Sequence, residues 1–322
     1  MRDVARDAGV SPATVSKMIN GRDFPTDAVR NRILAAITKT GYKKRKTVKV
    51  VRNILCVCPS DEAGGNTPHS IQMARVLESS GKKWNFIVST TFLSGQDSIY
   101  SIIRERKIAG VVFMVNDFAH KIPIPAVILN EYVDDSFYPC VDCDDISGLF
   151  KIFDFLKECG HRRIAYFCDC RMSGKNSKPR KSRIPGIYER SGIEYSDELL
   201  WNEDFKFGEH RPVIRRAVRH FLDLKERPTA IVLAGDIYAP CFYEEMRLNN
   251  LRIPEDISIV GFDDFPIADM LHPPLTTVRK PLDAMAEEAL RVLYESIESV
   301  RTVPGKILLT PELVVRESVK NV

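Results

Sequence analysis

Several groups of residues have types and spacing that could do chemistry. The chain carries eight cysteines. Cys56-Val57-Cys58 and Cys168-Asp169-Cys170 lie in or just after runs that read as strands. Cys140 and Cys143 have CxxC spacing, but no second CxxC follows at zinc-ribbon distance. In a reducing cytosol disulfides are not expected, so these thiols are read as small buried or near-surface side chains, with no metal site. Asp263-Asp264 is a pair of adjacent carboxylates. Neighbours on a turn diverge, so the two are not expected to act together as acid and base. His161 is read as a packing residue at the start of a strand. No phosphate-binding loop is found, and no GxSxG or HExxH. Gly64-Gly65 is not a GxGxxG at a first strand turn. The expectation is a protein that is not an enzyme and needs no cofactor.

The strongest chemical signal is positive charge. Residues 1–52 hold thirteen Lys and Arg against four Asp and Glu, a net of +9, while the rest of the chain is net −5. A small basic head on a mildly acidic body points to a polyanionic partner for the head. At 322 residues the chain is long enough for two or three domains. With 44% hydrophobic and 28% charged residues it can build a sizeable core, which excludes a disordered or collagen-like chain. It opens Met1-Arg2-Asp3 with no apolar stretch behind a basic start, so no secretory leader is expected. The longest apolar run, near Ala109–Val115, falls far short of the ~20 residues that span a bilayer. A cytosolic protein without a membrane partner is expected.

The elements that must position these residues are legible in outline. Residues 3–8 read as a short helix, with Val4, Ala5 and Ala8 on one face, stopped by Gly9; Val10 plugs the turn. Ser11 before Pro12 reads as an N-cap followed by Pro at the first helical position. A second helix then runs to Asn20, with Val15, Met18 and Ile19 inward, and Gly21 ends it. Thr26 caps a third helix, expected to carry Val29, Ile33, Leu34 and Ile37 inward and to stop at Gly41. This is a helix-turn-helix unit. From Asn53 onward apolar strands alternate with amphipathic helices. The strands are read at 54–58, 86–89, 110–115, 126–129, 163–167, 230–233 and 257–261. Helical stretches are read at 70–80, 148–159, 212–224 and 241–249. The rhythm implies an α/β fold with doubly wound parallel sheets, and about 270 residues suit two lobes. Ser173–Lys181 reads as a polar, basic loop.

These residues carry a resemblance. Asp3-Val4-Ala5-Arg6-Asp7-Ala8-Gly9-Val10-Ser11 with Thr14-Val15-Ser16 and Asn20 resembles the DNA-binding head of the lactose-repressor (LacI/GalR) family. Gly160-His161-Arg162-Arg163-Ile164-Ala165, Pro254-Glu255-Asp256 through Gly261-Phe262-Asp263-Asp264, Pro273-Pro274-Leu275-Thr276-Thr277-Val278-Arg279 and the Glu312 to Ser318 ending are similar to family segments, so the likeness spans essentially the whole chain. It implies a three-helix DNA-binding head at 1–46, a basic linker at 47–52, and a two-lobed periplasmic-binding-protein-like core at 53–322, crossed by the chain near 145, 279 and 305. The implied function is a transcriptional regulator, a homodimeric repressor of a double-stranded DNA operator, modulated by a small molecule such as a sugar.

By family position Pro12, Ala13 and Lys17 are base readers. Lys17 can hydrogen-bond guanine O6 or N7, and Ala13 can meet a thymine methyl. Ser11, Thr14, Ser16 and Asn20 suit phosphate oxygens; the alternative for Ser11 and Thr14 is that they only cap and decorate the helix. Tyr42 closes the matching stretch. The family then continues with an Ala-Arg-x-Leu hinge helix whose leucine wedges into the minor groove. Here Lys43, Lys44, Arg45 and Lys46 lead into a β-branched stretch without that leucine. Either a basic tether tracks phosphates, or Val48 or Val50 takes the leucine's place.

In such cores ligands bind at the carboxyl ends of strands, between the lobes. Ser60, Asn130, Asp236 and Asp263 follow strands. The resemblance adds Arg180 as the effector-binding arginine, Phe205 as an aromatic platform and Lys280 where a glutamine is common. Arginine, carboxylates and a ring suit a polyhydroxylated ligand. Asp263 could instead be a turn residue only, Arg180 a solvated loop residue and Asp236 a helix N-cap.

Overall fold

The computed structural model describes residues 2–19, 26–40, 42, 50–59, 68–93, 97–114, 122–130, 136–169, 177–203, 210–298 and 305–322. The chain divides into two compact units, residues 1–50 and 51–322.

The first unit is three helices, α1 (Arg2–Ala8), α2 (Pro12–Ile19) and α3 (Asp27–Thr40). Gly9 ends α1 at φ +63°, with its N–H on the Arg6 carbonyl and the Val10 N–H on the Ala5 carbonyl. That paired bond pattern is the Schellman C-cap, and its left-handed residue favours glycine. Val4, Ala5, Ala8, Val15, Ile33 and Ala36 form the core, with Val10, Met18, Val29, Ile37 and Tyr42 packed against it. Leu34, expected inward, is 45% exposed. The buried stripe runs Val29, Ile33, Ala36, Ile37, and one residue beyond Ile33 is rotated by about 100° off that stripe. Ala36, too small to stand out in the sequence, takes the inner position.

The second unit holds β1 (Arg52–Pro59), α4 (Pro68–Gly81), β2 (Phe86–Leu93), α5 (Asp97–Glu105), β3 (Ile108–Phe113), β4 (Ala126–Leu129) and β5 (Cys140–Cys143). It continues with α6 (Asp145–Glu158), β6 (Ile164–Asp169), α7 (Ser177–Ser191), β7 (Leu200–Glu203), α8 (His210–Asp223), β8 (Ala230–Leu233), α9 (Ala239–Leu248) and β9 (Ser258–Asp263). It ends with α10 (Pro266–Met270), β10 (Thr276–Arg279), α11 (Leu282–Ile297), β11 (Lys306–Leu309) and β12 (Glu312–Val314). The strands form two six-stranded sheets, β11-β5-β4-β3-β1-β2 and β12-β10-β9-β8-β6-β7. All their pairings are parallel except β10 with β12. Each sheet is covered on both faces, so successive residues alternate between cores. Ile54, Cys56 and Cys58 belong to one cluster and Leu55 and Val57 to another. Such strands read as continuous apolar runs, which is why β4 and β8 are legible in the sequence.

The chain leaves the first sheet after β5 and enters the second through α6. It returns after β10 through α11, which packs in the first sheet's core. The third passage lies at 310–311, later than the expected position near 305, because β11 stays paired with β5 to Leu309.

The structure gives the Cys140/Cys143 segment its geometry and changes the expectation for the basic loop. The Cys140/Cys143 pair is a strand, and its two thiols lie in clusters on opposite faces. A three-residue step in a strand reverses the side-chain direction, so these two cannot share a metal or a disulfide. The basic loop at Ser173–Lys181 is helical from Ser177 onward. Ile184, Ile187 and Tyr188, buried at helical spacing, hold α7 in place despite Pro185 within it.

Candidate functional site

In the head, Ser11 caps α2. Its Oγ accepts the Thr14 N–H at 3.0 Å and lies 2.8 Å from the Thr14 hydroxyl. Pro12 then opens the helix, where its missing N–H costs nothing. Val15 is fully buried, which turns the opposite side of α2 outward. Ser11, Pro12, Ala13 and Lys17 are exposed, and Thr14 and Ser16 are half-buried. The position of α2 is held by the shared core, while Lys39 of α3 joins Asp7 of α1 at 2.6 Å. Tyr42 is half-buried against the same core, with its N–H on the Ile37 carbonyl at 3.2 Å. Asn20, Lys43, Lys44, Arg45 and Lys46 lie outside the described residues. The exposed face of α2 offers a cation, hydroxyls and small apolar groups on a rigid helix, the set that major-groove reading requires.

In the core, the strand ends of the second sheet build a polar corner. Asp263 ends β9 at φ +109° and Asp264 follows at φ +56°. Their side chains diverge, as expected. Asp263 faces Lys280, with Nζ to Oδ1 at 3.4 Å, and Lys280 also lies 3.6 Å from Asp145 Oδ1. The Lys280 ammonium sits 5.7 Å from the centre of the Phe262 ring. Asp264 instead accepts from Arg279 Nε at 2.6 Å and from Arg316 Nη2 at 2.7 Å. Arg316 further donates to the Leu275 carbonyl, so Asp264 ties β10 to the C-terminal segment.

Asp236 is fully buried. Its Oδ1 accepts from the Thr277 hydroxyl at 2.7 Å and its Oδ2 from the Phe265 N–H at 2.9 Å. Burial first, then the neighbouring Asp263 carboxylate, push its pKa well above the usual carboxylate range, against the pull of those two donors. A Cβ at Gly261 would lie 2.0 Å from its Oδ1, so the strand must carry glycine where the carboxylate crosses it. Asp236 therefore shapes the turn that presents Asp263. Each of its oxygens has a partner within the chain, its side chain has no exposed surface, and the N-cap of the following helix is Tyr238.

In the first lobe, Asn130 stands just past β4 in the left-handed region, φ +62°. Its N–H bonds the Val141 carbonyl, while its buried Oδ1 has no hydrogen-bond partner among the described residues. Ser60 and Phe205 lie outside the described residues. Arg180 is in the first turns of α7 rather than in a loop; its side chain is not among those described. His161 is buried, with Nδ1 2.8 Å from the Thr229 hydroxyl and Nε2 3.1 Å from the Lys320 carbonyl.

The structure thus joins Asp263 and Lys280 and adds Asp145, Phe262 and Arg316, which sequence reasoning missed. Asp145 follows β5, whose Cys-Val-Asp-Cys sequence carries no strand signal of its own.

Residues 1–44 match the bacterial regulatory proteins of the lacI family, and residues 153–319 match the periplasmic binding protein-like domain. The chain belongs to the LacI family of transcriptional regulators. It is 28% identical to the HTH-type transcriptional regulator DegA of Bacillus subtilis (strain 168), over 98% of this chain and 96% of the relative. It is 27% identical to the HTH-type transcriptional repressor CytR of Escherichia coli (strain K12), over 99% and 96%. A solved structure of the transcriptional regulator CelR with cellobiose shares the fold at TM-score 0.69 and 24% identity, covering 98% of both chains. A LacI family regulator from Enterococcus faecium with bound ribose does so at TM-score 0.69 and 19% identity, over 84% of this chain and all of that one. The regulator binds DNA through its helix-turn-helix head, and like its family it is not an enzyme. Among the described residues no helix is long and apolar enough to cross a membrane.

Proposed function

We propose that this regulator is a cytoplasmic homodimeric repressor whose operator affinity is set by a sugar or related polyhydroxylated compound held between the two lobes of its core. The observation that carries the DNA half is the α2 face: Pro12, Ala13 and Lys17 stand outward on a helix whose register is locked by buried Val15 and the Ser11 cap. Pro12, Ala13 and Lys17 are assigned to base edges. Ser11, Thr14, Ser16, Asn20 and Tyr42 are assigned to phosphates, with Lys43, Lys44, Arg45 and Lys46 as a basic tether along the backbone. Residues 1–46 then act as the reading head, 47–52 as the linker and 53–322 as the sensor and dimerisation body. Two heads related by a two-fold axis would read the halves of a near-palindromic site.

The ligand half is supported by Asn130 and Asp263, which meet the ends of strands in different sheets with left-handed backbones. Asn130 also keeps a buried amide oxygen without a hydrogen-bond partner among the described residues, and relatives of this fold are seen with cellobiose and with ribose. Ser60, Asn130, Arg180, Phe205 and Asp263 are the proposed contacts, with Lys280 at the edge of the same site beside Asp263. Ligand-driven closure of the lobes would change operator affinity by linkage.

Fluorescence anisotropy of the full chain on a labelled DNA fragment from its own control region tests the first half. Tight binding that weakens steeply with salt is expected, and affinity independent of salt would refute it. A thermal-shift screen of mono- and disaccharides and nucleosides tests the second, since a ligand that binds only the folded state raises the melting temperature. A flat screen across all of them would remove the sugar class.

A further inference from the structure

Lys280 occupies an unusual place. It lies on the second passage between the sheets, just after β10. Asp145 lies on the first passage, at the start of α6, and Asp263 lies at the end of β9. The Lys280 side chain is 10% exposed and that of Asp263 7%, so the ammonium is largely shielded from water. Charge attraction strengthens where water is excluded. Its contacts to the two carboxylates, at 3.4 and 3.6 Å, are longer than a fixed N–H···O bond, which falls at about 2.7–3.2 Å. The ammonium is thus held by charge and by the face of the Phe262 ring more than by tight hydrogen bonds. An arrangement of this kind can be displaced without breaking a directional network.

We propose that Lys280 is a tethered occupant of the crevice: its ammonium bridges Asp145 and Asp263, and an effector that engages Asp263 binds by displacing it. The proposal rests on the crevice being the effector site. It makes Lys280 a specificity-determining residue, because the lysine already supplies, from inside the chain, the donor that a ligand would bring. A ligand must compete with a cation for Asp263. Weak single-hydroxyl ligands are therefore excluded, and ligands that present several donors to the carboxylate are selected. The bridge also links the first two passages, so displacing it loosens the connection between the lobes at the moment a ligand takes over.

Lys280→Ala in the full chain removes a propylammonium group and leaves both carboxylates. Millimolar propylammonium should then raise the melting temperature of Lys280→Ala by several degrees, because it binds only the folded state. Propanol, the neutral isostere, should not, and neither should propylammonium added to the wild type or to the Lys280→Ala/Asp263→Asn double variant. Equal shifts from propanol, equal shifts in the wild type, or no shift in folded Lys280→Ala would overturn the bridge. Lys280→Gln keeps a neutral side chain of similar reach and serves if Lys280→Ala does not fold. Any sugar that shifts the wild type should bind Lys280→Gln about tenfold more tightly, the size expected for losing one competing charge contact. Unchanged sugar affinity would overturn the displacement and leave the effector reading standing. Amine rescue of Lys280→Ala without any sugar response in either protein would sink the effector reading and leave the bridge standing.

Discussion

On α2, the outward residues from Ser11 to Lys17 lie within two helical turns and are set by a buried valine and a serine cap next to them. The corner around Asp263 draws Asp145, Asp236, Lys280 and Arg316 from well-separated parts of the chain. The head exposes the groups proposed to meet DNA and hides only their support. The corner buries its charged groups and pairs them with charges from other parts of the chain. Exposed readers on a helix can be exchanged at little cost to folding, whereas each member of a buried polar corner is coupled to the others. Contact with a fixed polyanion suits the first arrangement, and a site that responds to a ligand suits the second.

The comparison breaks most easily at Asp236. Asp236→Ala leaves the Thr277 hydroxyl and the Phe265 N–H without their acceptor, and should cost about 3 kcal/mol in urea unfolding of the full chain. A midpoint unchanged by Asp236→Ala would mean that the corner does not depend on its buried support. Lys17→Ala should behave in the opposite way. Discrimination between the operator and a scrambled duplex should fall by about 1–3 kcal/mol, with the melting of the core untouched. If Lys17→Ala instead lowered the core's melting temperature, the outward face would not be independent of the fold. Ser11→Ala sharpens the point within the head. Losing the cap should cost about 1 kcal/mol of helical stability, visible as a lower thermal midpoint of the head's circular dichroism, and a midpoint equal to the wild type would show the cap to be idle.

The smallest effect is expected at His161. Burial lowers its pKa below the ordinary 6.5, outweighing the Lys320 carbonyl that favours the charged ring. A depressed imidazole binds fewer protons folded than unfolded, so its contribution is present above the unfolded value and is lost as pH falls through the folded one. Urea midpoints measured at about pH 7.5 and about pH 5.5 should therefore separate less in His161→Gln than in the wild type. An identical separation would leave the imidazole uninvolved in acid destabilisation.

Much of the fold is visible in single segments. β4 and β8 are uninterrupted apolar runs and fall where the sequence puts them, and α1 and α2 are framed by Gly9, Ser11 and Pro12. β5 is hidden in the sequence because Cys-Val-Asp-Cys holds a carboxylate among its four residues and resembles a ligand motif. β10, β11 and β12 are short and owe their pairing to neighbours far along the chain. Leu34 is apolar enough for core but lies off the helical phase set by Val29, Ile33 and Ala36. α7 was hidden by its lysines, arginines and Pro185, although Ile184, Ile187 and Tyr188 carry its period.

The site divides in the same way. Asp263 and Lys280 can be named as candidates from the chain alone, but not as partners. Asp236 shares the sequence signature of a ligand contact, a carboxylate after a strand, and only its burial against Thr277 and Phe265 gives it a supporting role.

Local order alone determined α2, its cap and its outward lysine, since a helix face depends on residues a few positions apart and needs no distant partner. Which carboxylate meets a cation, which is buried as a brace and which thiols can never meet were decided by the packing of two sheets. Parallel strands have no local connection, so their neighbours are chosen by how the whole chain buries its apolar surface.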